Sequence, residues 1–338
     1  MANPKYAFIR GEIVPYDDAT VHVASGAFKF GTAVFEGLRG YWNEDQQDMY
    51  LFRMDEHMQR LEQSQMFMRY EEIIAGGYVA EKTKELIHAN GFRGNNVHIM
   101  TTTYVSGAGG PGMCGPIDLT ITAMERPRSA NVLEGVTAQV SSWMRIPDNA
   151  MPMRVKCNAN YHNGRLATVQ ASADGYVTAI MLNSRGKVSE GPGQCFFMVR
   201  NGKVITPSTS NDLLESITRD TVLELLAEMG IETVERDVDL FPIHQLRLDA
   251  HFGVVAQLHF HFFIDGNIFH RRAADEVVKV ILRHRPKRHH AAIRQRLGAK
   301  LAVFVVFEFV KANDRCAVAF LFIFVITGDR HLGGLRVA

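Results

Sequence analysis

The run Arg154-Val155-Lys156-Cys157-Asn158-Ala159-Asn160-Tyr161-His162-Asn163 decides how this chain is interpreted. Its lysine stands among small polar residues and is followed by a tyrosine. Such surroundings can carry the amine into an enclosed site, where desolvation lowers its pKa and makes it nucleophilic. Most lysines are solvated surface charges. The pattern nevertheless predicts that Lys156 is a catalytic residue of Schiff-base chemistry.

A second stretch, Ser189-Glu190-Gly191-Pro192-Gly193, follows later in the chain. A carboxylate on a glycine-bounded turn is the partner that pyridoxal phosphate requires, because it keeps the ring nitrogen protonated and the ring an electron sink. A lysine and a glutamate alone identify no enzyme. The surrounding segments must therefore support this interpretation.

Six segments occur in one fixed order, namely 22–23 (HV) with 30–41 (FGTAVFEGLRGY), 51–53 (LFR) with 56–61 (EHMQRL), 141–143 (SSW), Lys156 with Asn160-Tyr161, 189–191 (SEG) and 214–220 (LESITRD). Together they resemble the branched-chain amino-acid aminotransferases, a family of fold-type-IV enzymes that use pyridoxal phosphate. The resemblance spans roughly residues 5–239. It implies an α/β fold, with an α+β N-terminal domain and a larger α/β-type domain that binds the cofactor.

The resemblance also implies which residues bind pyridoxal phosphate: Arg60, Lys156, Tyr161, Glu190, Ile217 and Thr218. Arg60 would reach the phosphate, which suits a permanently charged, bidentate donor. The backbone amides of Ile217 and Thr218 would form a phosphate cup at a helix N-terminus. Tyr161 would hydrogen-bond the phenolic oxygen of the ring.

The substrate pocket implied by the same resemblance consists of Phe30, Phe35, Arg39, His98 and Met100. Residues 30–41 are expected to form a buried strand that places Phe30 against the cofactor. Met100 stands where many family members have an arginine that helps to recognise a glutamate side chain. Loss of a cation from a pocket favours apolar over carboxylate side chains.

Composition narrows the class of protein. The 338 residues are 46% hydrophobic and 22% charged, with a net charge of +1. This is typical of a globular protein of two domains, and it gives no electrostatic reason to expect nucleic acid or membrane partners. The four cysteines are widely spaced, so neither a disulfide framework nor a metal site is predicted. Because no signal peptide is visible, we expect a cytoplasmic protein.

The predicted domains are 1–125, a small N-terminal domain, and 136–338, a large cofactor-binding domain, joined by a linker over 126–135. Residues 240–338 do not resemble the family. They hold nine of the fourteen His, twelve of the 21 Phe, and fifteen Lys and Arg against seven Asp and Glu. This change in composition suggests a shifted reading frame or a fused segment. The histidines at 259, 261, 289 and 290 lack complementary metal ligands.

Local patterns predict several elements. We expect a hairpin around Arg10-Gly11, a strand over 21–24, a helix capped by Asp55, and a helix over 71–90 that ends at Gly91. Strands are predicted over 97–105, 117–124, 136–143 and 177–183. A helix over 163–173 should pack behind Lys156, and Ser216 or Thr218 should cap a later helix.

The resemblance implies a homodimeric aminotransferase that transfers the amino group of branched-chain amino acids to 2-oxoglutarate. Three alternatives stay open: a D-amino-acid or (R)-amine transaminase of the same fold, a lyase that uses the same lysine, and an inactive family remnant with a replaced C-terminus. A weaker alternative is a nucleic-acid binder that uses the basic tail.

Overall fold

The computed structural model describes residues 3–127, 135–200 and 203–240, and beyond them three strands at 301–306, 322–327 and 334–337. The four tail histidines and most of the predicted linker lie outside the described residues, as does most of the tail. The chain divides into two compact units. The predicted domain boundaries stay a prediction.

The first unit contains Met1–Arg128, Pro152–His162 and His331–Ala338. The second unit contains Ser129–Met151 and Asn163–Arg330. Lys156 and Tyr161 therefore belong to the same unit as the N-terminal residues, whereas Glu190 belongs to the second unit.

The described strands are β1 (Tyr6–Ile9), β2 (Glu12–Pro15), β3 (Ala33–Asn43), β4 (Asp48–Phe52), β5 (Val97–Val105), β6 (Ile117–Glu125), β7 (Ala138–Val140), β8 (Thr178–Ile180), β9 (Met198–Arg200), β10 (Lys203–Thr206), β11 (Thr233–Glu235), β12 (Leu301–Val306), β13 (Phe322–Thr327) and β14 (Gly334–Val337). The described α-helices are α1 (Gly26–Phe30), α2 (Met54–Phe67), α3 (Gly76–Asn90), α4 (Asn158–Ala173) and α5 (Ile217–Glu228). A short 3₁₀ helix covers Tyr16–Asp18.

A seven-stranded sheet forms the centre of the first unit, in the order β14-β4-β3-β5-β6-β1-β2. All its pairs are antiparallel. The hairpin of β1 and β2 confirms the turn predicted around Arg10-Gly11. In β5, buried residues alternate with half-buried ones over most of its length, so the strand offers one face to the core and the other to the candidate site.

Two corrections concern the segment before β3. Residues 21–24 do not form the predicted strand, and Phe30 is the last residue of α1, 38% exposed, instead of the first residue of a buried strand. Ser25 caps α1 by accepting a hydrogen bond from the Phe28 amide (3.3 Å), and Gly31 ends it with a φ of 68°. These two residues favour a short helix over an extended chain.

Helices α2 and α3 differ from the sequence expectation at their first residues. Helix α2 is preceded by Arg53 with a φ of 47°, so Asp55 lies within the first turn and is not the predicted cap. An acidic side chain there still complements the helix dipole. Helix α3 begins at Gly76 instead of residue 71, and Gly91 ends it with a φ of 65°, as predicted.

The second unit contains small sheets: β7 with β8 in parallel, β10 between β9 and β11, and β12 with β13 in antiparallel. Strands β7 and β8 are shorter than predicted. The second unit has a cluster of buried hydrophobic side chains that includes residues of β7, β8, β9 and β10: Val136, Ala138, Ile180, Val188, Phe196, Met198, Ile205 and Val238. Helix α5 begins after Ser216, whose hydroxyl accepts a hydrogen bond from the Arg219 amide (3.2 Å), which confirms the predicted cap.

Candidate active site

The backbone of Lys156 is held by two elements of the first unit. Its amide donates to the hydroxyl of Ser64 in α2 (3.3 Å), and its carbonyl accepts from the amide of Phe35 in β3 (3.0 Å). Cys157 forms an isolated bridge with Val34. The segment that carries the lysine therefore lies against β3, and it leads directly into α4.

The amine of Lys156 is enclosed by two aromatic rings. Nζ lies 4.7 Å from the ring centroid of Phe35 and 4.5 Å from that of Tyr161, and the two rings meet edge to face at 4.8 Å. Nζ also hydrogen-bonds the Tyr161 hydroxyl. Lys156 is 8% exposed. The structure thus brings together Lys156, Tyr161 and Phe35, three of the residues predicted for the site.

Asn160 fixes the turn that precedes α4. Its side-chain amide donates to the carbonyls of Pro152 (2.8 Å) and Val155 (2.9 Å), and the residue is buried. These bonds close the chain around the segment that contains Lys156. This role of Asn160 was not predicted, because the two carbonyls that it contacts lie in the loop before the first residue of α4.

Arg60 is oriented by a buried carboxylate. Its Nε and Nη2 donate to the two oxygens of Glu36, each at 2.7 Å, and Nδ1 of His57 lies 2.7 Å from Oε2 of the same group. Burial alone would raise the pKa of Glu36, but the charge and hydrogen bonds of Arg60, with those of His57, lower it to about 2. Burial lowers the pKa of His57, against the influence of Glu36. An ionised Glu36 therefore fixes the direction of the Arg60 side chain.

Glu36 and His57 were not predicted as functional residues, although signals for both exist. Glu36 is the one acidic residue within the apolar run 33–38 of β3, and a lone buried carboxylate requires a cation. His57 and Arg60 lie three residues apart on α2, so they share a helix face. Together these positions indicate a shared partner for the carboxylate.

The predicted substrate residues share one face of the sheet, with one exception. Phe35 pairs with Thr102, Gly37 with Met100, and Arg39 with His98 across β3 and β5. Directly paired residues point to the same side of a sheet, as do alternate residues of one strand. The face that carries Phe35 therefore also carries Arg39, His98 and Met100. The exception is Phe30, which belongs to α1.

Gly37 leaves room on this face. It has no side chain between Phe35 and Arg39, and a β-carbon at this position would lie 3.4 Å from Nε2 of His98. Arg39 contributes a guanidinium whose Nη2 donates to the carbonyl of Arg126 (3.3 Å). The face thus combines an aromatic ring, an apolar side chain and polar groups around a space without a side chain.

In the second unit, Glu190 is buried and held from two sides. It is 4% exposed, and its Oε1 accepts from the amide of Leu214 (3.1 Å) and pairs with Nη2 of Arg145 (2.8 Å). The carbonyl of Glu190 accepts from the amide of Met181 (2.9 Å). The carboxylate is therefore fixed in position by both its side-chain and its backbone contacts.

Ile217 and Thr218 are the first two residues of α5. The first amides of a helix have no acceptor within the helix, and they lie at the positive end of its dipole. Ser216 satisfies the third amide, that of Arg219. The amides of Ile217 and Thr218 therefore lie where a helix can bind an anion.

The thiol of Cys195 is inert in this structure. Burial, with a contribution from the charge of Glu190, raises its pKa to about 12. A buried thiol with a raised pKa is a poor nucleophile. In the part of the chain that the structure describes, no group of three or more His, Cys, Asp or Glu could hold a metal ion. The helices there are each too short or too polar to cross a bilayer.

Comparison with known proteins gives consistent matches. Residues 33–247 match the amino-transferase class IV family. The probable branched-chain-amino-acid aminotransferase of Aquifex aeolicus is 37% identical over 239 residues, which cover 69% of this chain and 76% of that protein. The putative branched-chain-amino-acid aminotransferase of Methanocaldococcus jannaschii is 30% identical over 298 residues, 87% of this chain and 98% of that protein. This second match is longer than the range 5–239 that carries the resemblance, so the foreign origin of the tail stays a prediction.

A solved structure supports the same family. The branched-chain amino acid aminotransferase of Thermobaculum terrenum in its pyridoxal-phosphate form has 42% sequence identity and a TM-score of 0.64, and the match covers 70% of this chain and 78% of that protein. The groups present in this chain fit the cofactor: a buried amine beside a phenol can bind an aldehyde, and a buried carboxylate suits a pyridine nitrogen. The chain therefore belongs to the class IV aminotransferases, and it is a pyridoxal-phosphate-dependent enzyme of fold type IV.

Proposed function

We propose that this protein transfers the amino group of branched-chain amino acids to 2-oxoglutarate, with Lys156 as its catalytic residue. The observation that carries the proposal is the enclosed amine of Lys156, which contacts the rings of Phe35 and Tyr161 and the Tyr161 hydroxyl. The relatives from Aquifex aeolicus and Thermobaculum terrenum, both named as branched-chain aminotransferases, support the substrate class.

When bound, pyridoxal phosphate supplies an electron sink for negative charge at the α-carbon of the substrate. Nζ of Lys156 would remove the α-proton of the substrate as a general base and, as a general acid, would supply a proton to the carbon of the cofactor. Tyr161 orients Nζ through its hydroxyl and would donate to the phenolic oxygen of the ring. The aromatic rings around Nζ exclude water from this proton transfer.

Binding of the cofactor is assigned to groups that the structure already holds in place. Arg60, fixed by Glu36, and the amides of Ile217 and Thr218 are the groups that would hold the phosphate. Glu190 would hold a proton at the ring nitrogen. The permanent positive charge of Arg60 and the amides at the start of α5 each favour an anionic phosphate group.

The substrate side chain lies on the face of β3 and β5. Phe35 and Met100 present apolar surface there, and the absence of a side chain at Gly37 leaves space for a branched aliphatic group. Arg39 and His98 lie one residue pair further along the same face. Apolar surface beside an empty space suits an aliphatic side chain.

We also infer a cytoplasmic homodimer. Apolar side chains of one short segment are unusually exposed, with Val23 at 68% and Phe28 at 73%, which is typical of a surface that a second copy covers. The cysteines Cys114, Cys157 and Cys195 are free, consistent with a reducing compartment. Light scattering should give the mass of two chains, and Phe28→Glu should reduce it to one; a wild-type monomer would contradict the inference.

The function is tested by absorption spectroscopy of the purified protein with pyridoxal phosphate. We expect a visible band that requires Lys156, disappears in Lys156→Ala, and persists in Lys203→Ala, which removes an exposed lysine. L-Leucine should convert the band towards that of pyridoxamine phosphate. Conversion by D-leucine or an (R)-amine alone would instead support the other transaminases, and absence of the band would indicate an inactive remnant.

A further inference from the structure

We propose that Arg145 is a positioning residue, which holds Glu190 ionised and correctly directed for the ring nitrogen of the cofactor. The proposal rests on the assignment of Glu190 under the proposed function. It adds a residue that neither the sequence motifs nor the family comparison singled out. Arg145 lies between β7 and α4 in the chain, eleven residues before Lys156.

Arg145 is anchored at both its backbone and its side chain. Its amide donates to the carbonyl of Leu182 (2.7 Å). Its Nη2 pairs with Oε1 of Glu190 (2.8 Å) and donates to the carbonyl of Gly191 (2.5 Å), the next residue in the chain. One nitrogen thus contacts both the carboxylate and the backbone that carries it. This geometry fixes the distance between the guanidinium and the turn at 190–191.

The two contacts of Oε1 together set the direction of the carboxylate. Arg145 approaches this oxygen through Nη2, and the amide of Leu214 approaches it at 3.1 Å. A carboxylate with two donors on one oxygen cannot rotate freely about its final side-chain bond. The orientation of Glu190 therefore depends on Arg145.

Packing alone does not explain an arginine at this position. Arg145 is 2% exposed, and its Nε and Nη1 are buried without a hydrogen-bond partner among the described residues. Buried, unsatisfied N–H groups destabilise the fold, and apolar residues in place of a buried ion pair are often neutral or stabilising. An arginine here therefore carries a cost to stability, and what it supplies that an apolar side chain could not is a positive charge at the Glu190 carboxylate.

That charge has a specific consequence for the cofactor. Glu190 is buried, and a buried carboxylate without a cation tends to take up a proton. A protonated Glu190 could not hold a second proton at the ring nitrogen. Arg145 favours the ionised carboxylate of Glu190. The affinity of the protein for the cofactor should therefore depend on whether the cofactor ring contains a basic nitrogen.

This sensitivity can be measured with two cofactors. The affinity for pyridoxal phosphate is compared with that for its 1-deaza analogue, in which C–H replaces the ring nitrogen. We expect the wild type to prefer pyridoxal phosphate, and Arg145→Met to reduce this preference by about tenfold or more, as loss of a charge-assisted contact predicts. Glu190→Gln should reduce it similarly, and the double variant should be no worse than Glu190→Gln alone.

Arg219→Met is the matched control. Arg219 is also a buried arginine of the second unit, and its Nη2 donates to Glu235 and to the carbonyl of Pro207 (3.0 Å). Its loss should weaken both cofactors by the same factor and leave the preference unchanged. If Arg145→Met likewise weakens both equally, Arg145 is only structural and the proposal is overturned.

Two further results separate this proposal from the proposed function. Arg145→Gln keeps an N–H donor without the charge, and it replaces Arg145→Met if that variant does not fold; the same loss of preference is expected. A wild type that binds both cofactors equally would refute the assignment of Glu190 and, with it, this proposal. A wild type that prefers pyridoxal phosphate, with Arg145 variants unchanged in preference, would refute this proposal alone.

Discussion

Glu36 and Glu56 each accept a hydrogen bond from an arginine at 2.7 Å, yet Glu36 is wholly buried whereas the side chain of Glu56 is 41% exposed. Removal of one partner from a buried pair leaves an uncompensated charge, whereas an exposed pair is screened by water. Glu36→Gln should therefore lower the free energy of unfolding by roughly 3 kcal/mol or more. The matched variant Glu56→Gln should lower it by less than about 1 kcal/mol.

Urea unfolding measures both changes. Pyridoxal phosphate titration should show a weaker affinity for Glu36→Gln, because Arg60 loses its orientation. Equal losses of stability in the two variants would contradict the assignment of an ionised carboxylate to buried Glu36.

The depressed pKa of Glu36 predicts an acid dependence of stability. The folded value of about 2 lies below the ordinary value of 4.5, so the unfolded chain binds more protons between these limits. The contribution of Glu36 is complete above pH 4.5 and is lost as the pH falls towards 2. It amounts to about 3 kcal/mol by linkage. Unfolding of Glu36→Gln, measured between pH 6 and pH 3, should depend less steeply on pH; an unchanged slope would contradict the assignment.

Gly37→Val should obstruct the substrate without displacing the cofactor. The added side chain would occupy the face between Phe35 and Arg39, close to His98. We expect the KM for L-leucine to rise about tenfold or more, as for a pocket filled by extra methyl groups, with pyridoxal phosphate affinity unchanged. Gly37→Ala is the graded control, since its β-carbon makes only ordinary contact. If Gly37→Val left the KM for L-leucine unchanged, the substrate side chain would have to lie elsewhere.

Asn160→Asp should loosen the segment that carries Lys156. The variant keeps the shape of the side chain, but it replaces the donor to the carbonyls of Pro152 and Val155 by an oxygen that repels them. A loss of roughly 2 kcal/mol or more in the free energy of unfolding is expected. Asn163→Asp breaks a similar bond to the carbonyl of Met144 at an exposed site and should cost less. The reverse order, measured by thermal unfolding, would contradict this role.

Thiol labelling tests the burial of the cysteines. Cys114 is exposed, whereas Cys157 and Cys195 are buried with raised pKa values. In a Cys316→Ser background, the native protein should react rapidly at Cys114 alone, because thiolate and access are both needed. Denaturant should make the other two reactive. Rapid labelling of native Cys195 would show that the turn after Glu190 opens.

The enclosed position of Lys156 beside Tyr161 and the strands β5 and β6 could be predicted from the sequence, since each depends on a local run of residues. The helix α1 could not be separated from a strand in the same way. Its signals, a cap at Ser25 and an end at Gly31, lie only six residues apart, too short a stretch for a helical repeat of apolar residues to show in the sequence.

The network around Glu36 depends on distant partners. Glu36 lies 21 residues before His57 and 24 before Arg60, so no short motif contains all three. Similarly, the contact of Arg145 with Glu190 joins residues far apart in the sequence. Alternation within a strand and spacing on a helix predict faces, but which faces meet is decided by the fold.

The backbone of Lys156 is hydrogen-bonded on both sides: its amide donates to Ser64, and its carbonyl accepts from Phe35. These bonds hold the backbone of Lys156 in place against α2 and β3. We therefore expect the amine to change position by rotation about the bonds of its own side chain. Such rotations are fast compared with loop or domain motion. The rate at which the lysine changes position should therefore be insensitive to solvent viscosity, and any viscosity dependence of kcat belongs to the entry of substrate or the departure of product.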